Sequence, residues 1–117
     1  MLYMFLITYN PTIEPEPGAP ASRQPEHAAY EKELRAEGTY EGGAALMPPR
    51  VRPIVRVDHK GNASKVDGPF AETKELIGGY FVIDCKDEAD AVERAKRIPT
   101  DNTSWIDIQQ VVLWHPK

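Results

Sequence analysis

The stretch DGPFAETKE at residues 67–75 leads into an apolar run at residues 79–85, and this loop-to-strand pattern sets the expected fold. Gly68 tolerates positive φ and Pro69 fixes its own φ at about −65°, so the pair predicts a turn. Charged side chains are therefore presented from a fixed backbone rather than from a flexible linker. Five residues of the stretch are candidates for a small-molecule site: Asp67, Phe70, Glu72, Lys74 and Glu75.

The residues after this run predict a helix and a closing strand. Asp87 is placed to cap the helix, with Asp90 at the third helical position as in a capping box, and Pro99 ends it. The predicted buried stripe of that helix is Ala91, Val92, Ala95 and Ile98. Residues 105–114 predict a last strand with one apolar face, formed by Ile106, Ile108, Val112 and Trp114.

The residues before the charged loop predict a strand and a helix joined by a proline-rich segment. Residues 2–9 are apolar on both faces, which indicates a central strand. Residues 11–25 contain five prolines, so they predict an extended surface excursion or a lid over a cleft. Residues 25–37 predict a helix, and three side chains share its inward stripe: His27, Tyr30 and Leu34.

The middle of the chain predicts an inserted hairpin. Strands are expected at 39–46, 51–57 and 63–66, with a turn at 58–62. The resulting order predicts an α+β fold, a ferredoxin-like split βαβ unit with an extra hairpin, in a single domain over residues 1–117. The sheet face that the helices leave open requires cover. A second copy of the chain is the simplest cover, which predicts a homodimer.

Length, charge and cysteine content argue against several classes of protein. The chain has 117 residues and a formal charge of −4, which argues against nucleic acid as a partner because such binding depends on basic side chains. Its longest apolar run is far shorter than a membrane span and lacks a basic leader, so neither a membrane anchor nor a signal peptide is expected. A single cysteine, Cys85, excludes an intramolecular disulfide and favours a cytoplasmic location.

His27 is the leading catalytic candidate because imidazole gives and takes protons near neutral pH. A nearby carboxylate would fix its tautomer, and Asp67 is the candidate for that role. The alternative for His27 is a structural ring bonded to a backbone carbonyl, and the alternative for Asp67 is an Asx-turn. Arg52 is expected either to hold an anionic substrate or to form a structural ion pair, and Tyr30 to help form an apolar wall.

Metal and cofactor sites are not expected. The three histidines, His27, His59 and His115, lie on separate elements without ligand spacing, and a second cysteine is missing. Cys85 alternates with apolar residues on a buried face, where a thiol is inert. No glycine-rich phosphate loop precedes a helix, which leaves a cofactor-free small-molecule site as the expectation.

Residues 67–76 followed by Gly78, Gly79, Tyr80 and Phe81 resemble the motif of YCII-related proteins of the DGPF type. Further similarity lies in the Tyr3-Met4 opening strand, the helix end at 33–38, the Leu46 and Pro48-Pro49 segment and residues 95–99. The resemblance implies a dimeric α+β barrel with a histidine near the start of the first helix, matched here by His27. It also implies acid–base chemistry on small molecules, such as loss of chloride from a chlorinated aromatic diol, and a genetic context of alternative extracytoplasmic-type sigma factors.

Two segments depart from the pattern that the resemblance implies. Many relatives carry an acidic residue before the leucine-proline segment, where this chain has Gly43-Ala44-Ala45. Many also end their last strand with Glu-x-Arg-Pro, where this chain has residues 107–110. Three hypotheses follow. The first is a cofactor-free, lyase-like enzyme that uses His27 and Asp67, with Lys74 or Arg52 stabilising negative charge. The second is a ligand-sensing or sigma-factor-binding module, and the third is a dimer whose ancestral site has decayed.

Overall fold

A computed structural model of the protein describes residues 1–66 and 75–115. The elements that it contains are, in chain order, β1 (Leu2–Tyr9), α1 (Gln24–Glu37), β2 (Tyr40–Ala45), β3 (Ile54–Val57), β4 (Ala63–Val66), β5 (Leu76–Asp84), α2 (Glu88–Ala95) and β6 (Ser104–Gln110). Neither helix has the length and apolar character that crossing a bilayer requires.

Four of the strands form one antiparallel sheet in the order β2-β5-β1-β6. Phe5 of β1 pairs with Phe81 of β5 on one side and with Ile108 of β6 on the other. This is the strand order of a ferredoxin-like split βαβ unit, so the predicted α+β fold is confirmed. Strands β3 and β4 form a separate two-stranded sheet, which is the predicted inserted hairpin.

The core lies between one face of the sheet and both helices. Phe5 and Ile83 are fully buried on that face, while α1 contributes Tyr30 and Leu34 and α2 contributes Ala91. The opposite face carries half-buried apolar side chains that are paired across the two central strands: Met4 with Val82, and Leu6 with Tyr80. The helices therefore cover one face of the sheet, as predicted for this fold.

Both helices end through local hydrogen bonds that the sequence encodes. Gly38 follows α1 with φ of 78° in the left-handed region, where glycine carries no steric penalty, and Thr39 N–H donates to Leu34 O at 3.1 Å. Before α2, the Asp87 carboxylate accepts from Asp90 N–H at 2.8 Å, and the Asp90 carboxylate accepts from Lys86 N–H at 2.9 Å. The predicted cap of α2 is thus confirmed.

The structure corrects three boundary and burial predictions. Strand β3 begins at Ile54 rather than at residue 51, because residues after Pro48 form a turn instead. Val92 is 40% exposed rather than part of the buried stripe of α2. Strand β6 ends at Gln110, and Trp114 is 98% exposed, because the pairing with β1 reaches the first residues of that strand.

Candidate functional site

A cavity of about 620 Å³ lies on the helix-covered side of the sheet, below the first turns of α1. Its floor is formed by residues with little or no side chain, Gly78 and Gly79 of β5 and Ala44 and Ala45 of β2. Larger side chains at these four positions would fill the cavity, whereas glycine and alanine leave it open. A cavity of this size is typical of small-molecule sites, and we refer to it as the cleft.

The close approach of β2 to β5 requires glycine at two positions. A Cβ atom at Gly79 would lie 2.9 Å from Ala44 O, and one at Gly43 would lie 2.8 Å from Tyr80 O. Both distances are shorter than a carbon–oxygen contact allows, and the obstructing atoms belong to the backbone. A Cβ at Gly78 would lie 3.3 Å from Cδ1 of Tyr9, so that ring lies directly against the glycine.

His27 lies in the first turns of α1 and lines the cleft. Its ring packs edge-on against Phe81, with ring centroids 6.4 Å apart, and its Nε2 lies 2.9 Å from Pro99 O. Because a carbonyl oxygen can only accept, Nε2 carries the proton in this hydrogen bond. Nδ1 is then the ring nitrogen with an available lone pair when the imidazole is neutral.

The loop that supplies Pro99 O is held by a hydrogen-bond cluster around Asp101. Oδ1 of Asp101 accepts from the Thr103 hydroxyl at 2.6 Å, from Thr103 N–H at 2.8 Å and from the Ser104 hydroxyl at 3.3 Å. These bonds, followed by the charge of Arg23, lower the pKa of the Asp101 carboxyl. The carboxylate is therefore ionised at neutral pH and fixes the loop beside His27.

Arg23 connects this loop to the start of α1. Its Nε lies 3.5 Å from Asp101 Oδ2, and its Nη1 donates to Glu26 Oε1 at 3.1 Å. Arg23 and Asp101 both line the cleft and are both largely shielded from solvent. The charge of each is therefore compensated by a partner within the protein.

Glu31 is a second carboxylate in the lining, one helical turn after His27. Its Oε1 accepts from the Tyr40 hydroxyl at 3.0 Å and its Oε2 accepts from Arg35 Nε at 3.1 Å. Hydrogen bonds from Arg35 and then from Tyr40 lower the pKa of Glu31. The Arg35 guanidinium also stacks on the Tyr40 ring, with its central carbon 4.4 Å from the centroid. Sequence reasoning missed Glu31, although its i,i+4 spacing from His27 could have identified it.

The mouth of the cleft is formed by the end of β1 and the connection that follows β2. Tyr9 and Arg50 both line it, and both also line a smaller cavity beside it. Burial raises the pKa of the Tyr9 phenol, and the positive charge of Arg50 opposes that shift. A turn holds Arg50 in place, because Val51 N–H donates to Pro48 O at 2.9 Å.

Comparison with known proteins places the sequence in a family. The pattern of the YCII-related domain matches residues 1–115, nearly the whole chain. The chain belongs to the YCII-related domain family. It is also similar to an uncharacterised protein of Rhizobium meliloti (strain 1021), with 32% identity over 75 residues. The match covers 62% of this chain and 60% of the length of that relative.

Of the site residues predicted for this YCII-related chain, the structure places His27 in the lining of the cleft and three others elsewhere. Tyr30 is 5% exposed in the core, where its hydroxyl donates to Arg94 O at 3.2 Å. Arg52 and Glu75 are exposed and lie outside the lining. The remaining predicted residues lie outside the described parts of the chain: Asp67, Phe70, Glu72 and Lys74.

The departures from the YCII-related pattern fall at different places. Ala44 and Ala45 belong to the floor of the cleft. Asp107, in contrast, accepts a hydrogen bond from the Thr8 hydroxyl at 2.9 Å on strand β6 and is not among the residues of the lining. The first segment thus contributes to the lining of the cleft, and Asp107 of the second contributes a hydrogen bond within the sheet.

The remaining candidates for chemistry in this YCII-related chain lie away from the cleft. Cys85 is 2% exposed, and burial raises the pKa of its thiol, which makes the thiolate scarce at neutral pH. His59 and His115 are exposed. Within residues 1–66 and 75–115, the side chains form no cluster of three or more potential metal ligands.

Proposed function

We propose that the cleft catalyses proton transfer on a small molecule, with His27 as the general base and acid. The observation that supports this most directly is the hydrogen bond between Nε2 of His27 and Pro99 O at 2.9 Å. It fixes the ring orientation and the tautomer, so that Nδ1 holds the lone pair that can accept a proton. An oriented imidazole in the lining of a cavity is a common arrangement for general acid–base catalysis.

A general base of this kind suits a lyase-like elimination. Nδ1 takes a proton from the substrate, the electrons of the broken bond form a double bond, and the leaving group departs with its own electron pair. The resulting imidazolium is stabilised by Pro99 O, which accepts from Nε2. The family resemblance implies that the Asp67 carboxylate orients the His27 ring, and we include this role in the proposal.

Deuterium exchange tests the proton transfer without knowledge of the physiological substrate. Wild type, His27→Gln and His59→Gln are incubated in deuterium oxide with a panel of phenols and of ketones that carry acidic C–H bonds. We expect wild type and the His59 control to incorporate deuterium into at least one compound, and His27→Gln to do so about 10²-fold more slowly or worse. Equal incorporation by all three proteins contradicts the proposal.

Nitrogen-15 NMR of the imidazole tests the geometry behind it. The neutral ring of His27 is expected as the Nε2–H tautomer, since Pro99 O accepts from that atom. The opposite tautomer, with the proton on Nδ1, would remove the base from the proposed mechanism. The exposed ring of His59 is the internal reference in the same spectrum.

A second candidate function is a ligand-sensing module without chemistry. The same Pro99 hydrogen bond supports it, because that bond also satisfies a ring with a purely structural role. The partner class that the resemblance implies is an alternative sigma factor. A compound that binds the cleft, returns unchanged without deuterium, and alters binding to such a factor would favour this function over catalysis.

The open face of the sheet supports a homodimer as part of the proposal. Met4, Leu6, Tyr80 and Val82 form a half-buried apolar patch on the two central strands, opposite the helices. Packing against the same patch of a second copy would complete the burial. Sedimentation at micromolar concentration should give the mass of two chains, and Val82→Glu should give one. A single-chain mass for wild type contradicts the dimer.

A further inference from the structure

The charges that line the cleft are compensated in pairs, with one exception among the described residues. Arg23 is neutralised by Asp101 and Glu26, and Glu31 by Arg35. Arg50 lines the cleft and forms no ion pair with any residue in 1–66 or 75–115. The described lining thus presents a single uncompensated, permanent positive charge, at the mouth.

The position of Arg50 is determined by its backbone. Arg50 lies within a turn that is closed by two hydrogen bonds to Pro48 O, from Val51 N–H at 2.9 Å and from Arg52 N–H at 3.1 Å. Pro49 within the turn is buried and lines the small cavity next to Arg50. A guanidinium on so constrained a backbone loses less freedom when it binds a ligand than one on a flexible loop would lose.

Tyr9 supplies a polar group and a ring beside that charge. Its hydroxyl has no hydrogen-bond partner among the residues that the structure describes, and the charge of Arg50 acts on it. The ring itself lies against Gly78, with Cδ1 3.3 Å from the position of a Cβ atom there. Tyr9 and Arg50 line the same two cavities, and a phenol donor together with a guanidinium fork suits an acceptor such as a carboxylate.

The rest of the lining near the mouth is apolar. Leu46, Met47 and Pro48 contribute to it, and Phe81 lies further in, beside the His27 ring. Such walls favour the body of an organic ligand over a small inorganic anion, whose other oxygens would face apolar groups. The volume of about 620 Å³ accommodates a molecule larger than a single six-membered ring.

We propose that the ligand of the cleft is a small organic monoanion, a carboxylate on an apolar or aromatic body, and that Arg50 and Tyr9 bind its carboxylate. The proposal deepens the function proposed above, since it places the charged end of the substrate at the mouth and the body toward Nδ1 of His27. Arg50 is then the specificity-determining residue, a role for which the sequence offered Arg52 as a candidate beside its alternative of a structural ion pair.

Benzoate and its neutral isostere benzamide test the proposal as probes. Binding to wild type, Arg50→Gln and Arg52→Gln is measured by NMR titration at low ionic strength and about pH 8, where an unperturbed imidazole is neutral. Arg52→Gln is the matched control, because that side chain is exposed in the same turn and lies outside the lining. We expect wild type and the control to bind benzoate about tenfold more tightly than benzamide, and Arg50→Gln to bind the two equally.

Three outcomes would overturn the proposal: equal binding of the two probes to wild type, a preference that survives Arg50→Gln, and a preference that Arg52→Gln removes as well. His27→Gln separates this proposal from the catalytic one. Its preference for benzoate should persist while its deuterium exchange is lost. Loss of exchange without any benzoate preference in wild type would leave the catalytic proposal standing and remove this one.

Tyr9→Phe refines the assignment of the carboxylate site. Removal of one neutral hydrogen-bond donor should weaken benzoate about two- to tenfold and leave benzamide less affected. The ring is retained, so its packing against Gly78 is preserved. An unchanged benzoate affinity would remove Tyr9 from the site and leave Arg50 as its sole support, and an unchanged affinity in both variants would overturn the proposal.

Discussion

The two ends of the helix-covered face of the sheet carry side chains of very different size. At one end, Phe5 and Ile83 fill the space between the layers, and α1 adds Leu34 at 1% exposure. At the other end, Gly78 and Gly79 form the floor and leave a cavity of about 620 Å³. The same strands, β1 and β5, run through both ends, and the size of their side chains distinguishes the core from the cleft.

The packed end of the sheet supports the helix that covers the cleft. The helix above it is anchored by Tyr30 and Leu34 over the packed end, while its first turns, which carry His27, extend over the empty end. The His27 ring packs against Phe81 on one side and lines the cleft on the other. This division is typical of sites that must be both ordered and accessible.

Truncation at the packed end should give the largest effect. Phe5→Ala removes a side chain with no exposed surface, and we expect a loss of about 3–5 kcal/mol in the free energy of unfolding from lost burial and a residual cavity. Met47→Ala in the lining of the cleft is the matched change, and at 64% exposure it should cost about 0.5 kcal/mol or less. Denaturant titration measures both, and similar losses would show that the two ends do not differ.

Substitution of the floor glycines should give an intermediate effect. Gly79→Ala forces a Cβ to within 2.9 Å of Ala44 O, so we expect β2 and β5 to separate locally at a cost of about 1–3 kcal/mol. Gly78→Ala meets the movable ring of Tyr9 at 3.3 Å instead, and should change stability by less than about 1 kcal/mol. Thermal unfolding of the pair tests this order, which a more stable Gly79→Ala protein would reverse.

Removal of the charge at Asp101 should give a smaller effect than Phe5→Ala or Gly79→Ala, and one that depends on pH. Asp101→Asn loses the ion pair with Arg23, and we expect a cost of about 1 kcal/mol at neutral pH. The folded-state pKa of Asp101 lies below the unfolded value, so its contribution is complete above about pH 4 and is lost as pH falls through the folded pKa.

The difference in unfolding free energy between wild type and Asp101→Asn is therefore the quantity to measure. It should be constant at higher pH and shrink in acid, because a protonated Asp101 no longer interacts more favourably than asparagine does. A difference that grows as the pH falls would contradict the assigned direction of the pKa. The use of a difference removes the contribution of the other carboxylates whose pKa is lowered, Glu31, Glu37, Asp58 and Asp90.

The sequence was sufficient for the fold because its signals are local. The cap of α2 at Asp87, the glycine after α1 and the alternation along β5 each depend on a few neighbouring residues. The errors arose where a neighbour in space decides. Residues beyond Gln110 continue the alternation of β6, yet the pairing with β1 ends there.

The site was less predictable because a cleft is defined by side chains that are missing and by residues from distant segments. The choice between Arg50 and Arg52 depends on the turn at Pro48, whose geometry follows from two hydrogen bonds that no pattern of residues specifies. Pro99 O could not be found at all, since any residue supplies a carbonyl. His27 was found because imidazole on the inward stripe of a helix is a chemical signal in itself.

The connection between β2 and β5 has a consequence for how such proteins diversify. The two strands are antiparallel neighbours, and Leu46 N–H already donates to Gly78 O at 2.9 Å, so a turn of two residues would be enough to join them. The strand order therefore places no demand on segment 46–75, which evolution can lengthen, shorten or rewrite. Because Pro48 and Arg50 lie in that segment, changes to it can alter the lining of the cleft while the core of the sheet stays unchanged.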